Sequence, residues 1–241
     1  MKKVTSAALL VLKLTWKMVL LIFALTVGLQ FLDGCRELMP GGVPLQAAFG
    51  FETLLRSAAQ PAGKWWAVML LAFLIGSSGR ARGSKTVYTM NRLGLSENRV
   101  TLVFGVVFMG YFLLYWALQT AVAYGFFVWY SRFTLVSSNA FMLACWRSEW
   151  LHTLLPLGEW WGYLRNLAIC GSFGFSAAFG SQLLRRGKFP FASFIPPLLC
   201  VFLLSGRIGN SSPDLLLAVL LAAFPVGYYF MLKGGREDED L

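Results

Sequence analysis

From Val100 to Tyr130 the chain runs for 31 residues without a charged side chain. A helix needs about 20 predominantly apolar residues to cross a bilayer, and within hydrocarbon a segment must satisfy its own backbone polar groups. Asn166–Leu184, Phe189–Gly206 and Leu215–Leu232 are further uncharged runs of at least 18 residues. A soluble domain carries about 25% charged residues, whereas this chain of 241 carries 13% and is 57% hydrophobic. The pattern predicts an all-α, polytopic integral membrane protein.

Six transmembrane helices follow from the uncharged stretches, at about 18–32, 57–79, 100–130, 166–184, 189–206 and 215–232. The first apolar run has no small-residue cleavage site after it and reads as a retained span. In the second, Lys64 can snorkel to the headgroups. The third is longer than a bilayer requires and must tilt or project.

Basic residues orient the spans. With both termini cytoplasmic, the inner side carries 14 of the 21 Lys and Arg and the outer side seven, for net charges of +9 and +1. The net charge of +10 is therefore a topology signal. Nucleic-acid binding would want the basic residues on one soluble face, and none is expected. Residues 33–56 and 131–159 become the larger outer segments, 80–99 an inner connection and 233–241 an acidic inner tail. Phe133–Trp146 and the Trp-rich stretch after it read as a surface-lying or re-entrant cap.

Residues 1–17 read as a basic amphipathic helix along the inner headgroups, with Lys2, Lys3, Lys13 and Lys17 on one face; an ordinary positively charged flank is the alternative. In the 80–99 connection a short helical pattern after Thr86 is interrupted by Gly94. Ser96 can then cap the helix that becomes the third span, with Glu97 in its first turn.

Chemistry finds few footholds. The four cysteines form no CxxC, His152 is the single histidine, and metal ligation is not expected. Gly79–Thr86 approaches the phosphate-cradling GxxxxGK[ST] pattern, but Ser84 stands where its second glycine belongs. Gly171–Gly174 has a superficial likeness to the rhomboid serine motif, with no histidine in any span to act as base. General acid–base and metal chemistry have no candidates, so the chain reads as non-catalytic with no cofactor of its own.

Some residues inside the spans stand out. Tyr111, Tyr115 and Gln119 recur every four residues, and either line a translocation path between two subunits or hydrogen-bond to a neighbouring helix. Ser172, Ser176 and Gly180, with Gly174 and Ala178, have the small-xxx-small spacing of close helix packing. Arg165 is expected to snorkel towards water or Glu159.

The segment SKTVYTMNRLGLSENRVTL, Ser84 to Leu102, resembles the coupling segment of bacterial ABC-transporter membrane subunits of the six-helix, type-2 (exporter-like) class. The likeness lies in Tyr88, Met90, Arg92, Leu93, Gly94, Leu95 and Ser96, between the second and third of six spans. It implies a cytosolic coupling helix that docks into a separate ATP-binding subunit, with ATP and Mg held by that partner. Arg92 would make a polar contact there, Leu93 and Leu95 would fill apolar sockets, and Gly94 would set the bend. It also implies a second copy or related permease across the path, a bacterial cytoplasmic membrane location, and export of a peptide, lipid-like or other amphipathic substrate. Relatives often carry an outer helical segment between spans five and six, where this chain has only residues 207–214. Two other readings fit the span count: a solute-binding module that docks onto a shared energising complex, and a non-transporting immunity or sequestration protein.

Overall fold

A computed structural model describes residues 2–38, 92, 94–132, 139–186, 189, 194–204 and 211–237; among them are seven helices and no strand. The helices are α1 (Lys2–Leu38), α2 (Glu97–Tyr130), α3 (Ala140–Arg147), α4 (Glu149–Leu154), α5 (Trp160–Arg185), α6 (Ile195–Leu204) and α7 (Ser211–Glu237). Three are long and apolar enough to cross a membrane, over Lys3–Cys35, Glu97–Tyr130 and Trp160–Arg185.

These three contain the expected spans at 18–32, 100–130 and 166–184. The expected span at 57–79 lies outside the described residues. Of 189–206, the described helix is α6, whose 10 residues fall short of a bilayer's thickness. The span at 215–232 falls within α7, which begins at Ser211, contains Pro225 and continues to Glu237, into the expected tail.

The amphipathic helix anticipated at 1–17 is not a separate interfacial element. It is the first half of α1, which runs 37 residues without a break, about 55 Å at 1.5 Å per residue. The physical reason is twofold. No glycine or proline occurs before Gly28 to end the helix, and one buried stripe passes straight through the expected turn. Ala7, Val11, Thr15, Val19, Ile22, Thr26 and Gln30 are all buried, at spacings of three or four that keep them on one face.

That stripe packs on α2, and the two helices run parallel. Thr15 meets Tyr111, Phe23 meets Tyr115 with ring centroids 5.6 Å apart, Gln30 meets Gln119, and Phe31 stacks on Trp129 at 5.5 Å. Contacts of α5 with α2 descend instead. Glu97 pairs with Arg186, Thr101 with Gln182, Phe112 with Phe173 and Trp116 with Tyr163, so α5 is antiparallel to α2. The α2–α5 contact is close because glycines line it from both sides. A methyl group on Gly174 would strike the backbone of Met109, and one on Gly105 the ring of Phe175. Phe104, Phe108, Phe112, Phe173 and Ala177 fill the main core around this crossing.

A second apolar cluster caps the far end of α2, where Ala123 and Tyr130 pack with Ala144, Cys145 and Leu151 of α3 and α4. Ser148 caps α4, its Oγ accepting from the Leu151 N–H at 3.5 Å. The last carbonyls of any helix lack partners within it. Here Trp116 Nε1 donates to the Leu154 carbonyl, while Arg165 Nη2 and Asn166 Nδ2 both donate to that of Thr153, each at 2.9 Å. Arg165 therefore does not snorkel as expected. It is 5% exposed and clamps the end of α4 to α5.

Candidate functional site

The segment singled out by sequence sits where three helix ends converge. Gly94 adopts φ +60°, a left-handed conformation that glycine tolerates without a Cβ penalty. It breaks the chain between the helical residue Arg92 and the start of α2. Leu95 then packs partly buried against the main core. Ser96 occupies the N-cap position with extended backbone, and its carbonyl accepts from Val100 N at 3.1 Å. Its side chain makes no capping bond. Glu97 turns to Arg186 just beyond α5, accepting from Nη2 at 2.8 Å and from Nε at 3.2 Å.

The same end of the bundle holds the start of α1, since the Lys3 ammonium lies next to Gly94. Arg92, Arg99 and Arg186 are exposed there. Arg185 reaches over the Phe104 ring at 5.3 Å. Among the side chains described at this end, five cations (Lys3, Arg92, Arg99, Arg185 and Arg186) stand with the carboxylate of Glu97, so together they leave it basic. The opposite end carries Tyr130, the α3–α4 cap and the stacked, outward-facing pair Trp160 and Trp161.

Of the residues expected to contact an ATPase, Arg92, Gly94 and Ser96 are exposed. Leu95 is partly buried, packed against the chain's own core. Tyr88, Met90 and Leu93 lie outside the described residues.

Tyr111, Tyr115 and Gln119 all face α1 and are 6%, 5% and 3% exposed. The Tyr111 hydroxyl and Thr15 Oγ1 are 2.9 Å apart, and Gln30 Nε2 donates to Gln119 Oε1 at 2.8 Å. The Tyr115 hydroxyl lies beside Thr26. The stripe is thus one half of a polar seam within the subunit. Its other half, Thr15, Thr26 and Gln30, was missed from sequence. The available signal was spacing, since Thr15 and Thr26 are eleven residues apart and therefore stack on one helix face three turns along. A second missed bond joins Thr101 Oγ1 to Gln182 Oε1 at 2.9 Å.

Ser172, Gly174, Ser176, Ala178 and Gly180 are all buried on α5, with Gly174 against the α2 backbone. Cys35, Cys145, Cys170 and Cys200 are unpaired. Among the described residues no three His, Cys, Asp or Glu side chains gather as a metal group would require. Compared with known proteins, the chain matches no family model, no curated protein and no solved structure.

Proposed function

We propose that this chain is the membrane subunit of an ATP-driven transporter, gripped from the cytosol at the knuckle formed by Arg92, Gly94 and Ser96. The observation that carries the reading is the company this knuckle keeps. It is exposed, lies beside Lys3 at the basic end of the bundle, and joins α2 directly with Leu95 anchored in the core. Basic residues concentrate on the cytoplasmic side of membrane proteins, which supports an inward-facing knuckle and a cytoplasmic N-terminus. The parallel course of α1 and α2 supports the same topology, because it puts the starts of both helices on one side of the bundle.

A handle transmits force only if it is stiff. Leu95 and the Glu97–Arg186 pair tie the start of α2 to the core and to the end of α5, so a displacement at Gly94 moves α2 as a body. Rigid-body movement of helices against one another is a common switching mode. In this reading six spans from each of two such subunits enclose the path for a lipid-like or amphipathic substrate in the bacterial plasma membrane. ATP and Mg belong to the partner that docks on the knuckle.

The test is isolation of the tagged chain from its native membrane in mild detergent. An ATP-binding protein should co-isolate, and Arg92→Glu should release it while leaving the melting temperature of the chain unchanged. In intact cells, Arg92→Cys in a Cys35→Ser background should resist membrane-impermeant maleimide. Outside labelling of position 92, or no ATP-binding protein in the isolate, would overturn the proposal.

A further inference from the structure

Because α1 is one unbroken helix, it carries Lys13 and Lys17 along a membrane-crossing axis and not along the headgroups. Both lysines are exposed and fall within its apolar span, Lys3–Cys35. They lie about 160° round the helix from Thr15, so they face away from α2 and the polar seam. Being four residues apart, they share a face and stand about 6 Å apart along the axis.

The register with α2 gives their level. Thr15 meets Tyr111, and stepping back equally along the two parallel helices puts Ser6 level with Leu102. Leu102 and Val106 are 42% and 62% exposed, so the apolar layer has begun there. Lys13 and Lys17 then stand about 10 and 16 Å farther in. Length demands the same. The uncharged stretch Met18–Leu32, closed at its far end by Asp33, has 15 residues. That is about 22 Å of helix against an apolar layer about 30 Å thick, so the layer extends past Lys17 towards the N-terminus.

A charge at this depth is costly and calls for a partner. Helical side chains lean towards the N-terminus, which carries both ammonium groups part of the way back to the headgroups. Neither α1 nor α2 offers a carboxylate at this level. Asp33, the next acid along α1, is about 24 Å beyond Lys17, and Glu97, at the start of α2, is paired with Arg186. The Trp16 ring, its centroid 5.9 Å from Lys17 Nζ, answers part of one charge. One turn farther in, Leu20 and Leu21 are more than half exposed.

We propose that Lys13 and Lys17 together hold the phosphate of an anionic phospholipid, whose acyl chains run along α1 over Leu20 and Leu21. The phosphate supplies the missing negative charge and accepts from both ammonium groups, and the lipid brings that charge on an apolar body. The inference requires only that α1 cross a membrane and is independent of the ATPase reading.

The probe is a phosphatidylglycerol that carries a photoactivatable diazirine on its acyl chain. The full chain, in phosphatidylcholine nanodiscs without any ATPase, is irradiated with increasing fractions of this lipid, and adducts are mapped by mass spectrometry. Labelling of Leu20 and Leu21 should saturate, whereas that of Leu114, which is 59% exposed, should climb linearly. Lys13→Gln/Lys17→Gln should raise the half-saturating fraction about 30-fold, the combined worth of two basic groups beside anionic lipid. Lys13→Arg/Lys17→Arg should preserve saturation. In the unaltered protein, a diazirine phosphatidylcholine should label the two leucines linearly, and inorganic phosphate should displace nothing. Linear labelling by the phosphatidylglycerol, or saturation unchanged in the glutamine pair, would overturn the proposal. So would an absence of labelling at Leu20 and Leu21, which would mean that protein covers the lysines, and displacement by inorganic phosphate, which would put them in water.

Discussion

Replacing Gly174 by alanine should pull α2 and α5 apart. A methyl group there falls 2.6 Å from the Cα and 2.9 Å from the Cβ of Met109, and closer still to its backbone nitrogen. Ordinary contact begins near 3.4 Å. The obstacle is helix backbone, so no rotamer change relieves it and the helices must separate by about 1 Å, a gap that forfeits a quarter to a half of the dispersion energy of the facing atoms. The same shift stretches the Thr101–Gln182 bond out of its 2.9 Å geometry. Overpacking of this kind costs about 1–3 kcal/mol, and the lost intramembrane bond adds about 0.6 kcal/mol. We expect a loss of about 2–3 kcal/mol for Gly174→Ala, read by titrating SDS into detergent-solubilised protein and following helicity. Two other glycines calibrate the result. Gly110 has nothing within 4 Å of an added methyl, and at Gly171 the nearest atom is the Met109 sulfur at 3.9 Å. Alanine at either should change stability by no more than about 0.5 kcal/mol, because the added methyl meets nothing closer than ordinary contact. If all three variants unfold at the same SDS fraction, close approach at Gly174 does not hold these helices together.

Two further outcomes follow from buried groups. Gln30→Leu should destabilise the chain by stranding Gln119, and the Gln30→Leu/Gln119→Leu pair should recover part of the loss; a double-mutant cycle should give a coupling of about 0.6 kcal/mol, and zero coupling would refute the seam. Burial pushes the Cys145 thiol up from 9.0 to about 11. Its folded value exceeds its unfolded one, so its contribution to stability is complete below pH 9 and disappears as pH rises towards 11. Maleimide should label Cys145 slowly in the folded protein at pH 7 and rapidly in SDS, and fast labelling of the folded chain at neutral pH would contradict its burial.

Much of the helical framework was legible, for reasons that are local. The uncharged run 100–130 gives α2 almost to the residue, since charged side chains flank it and nothing inside it breaks a helix. The break at Gly94 was legible for the same reason. Other features depend on a neighbour that the sequence does not identify. Ser96 takes the expected cap position without making the expected bond. Helix α5 starts six residues before Asn166 because Arg165 lies buried beneath Thr153 and does not mark an interface. The basic face of residues 1–17 suggested a surface helix, yet Ala7, Val11 and Thr15 on its other side are claimed by α2. Tyr111, Tyr115 and Gln119 were noticed, but their alignment with Thr15, Thr26 and Gln30 emerges only when α1 and α2 lie side by side in parallel.

That alignment has a consequence for how the protein is made. Neighbours in an antiparallel pair meet almost as soon as the second is synthesised, whereas Gln30 finds its amide partner 89 residues later. At about 5–20 residues per second, the ribosome needs about 4–18 s to deliver Gln119 after Gln30 has emerged. Throughout that interval α1 presents Thr15 and Gln30 to whatever surrounds a newborn helix. Until then Thr15 and Thr26 are satisfied by the carbonyls of their own helix, the Gln30 amide waits for its partner, and the seam closes only when α2 arrives.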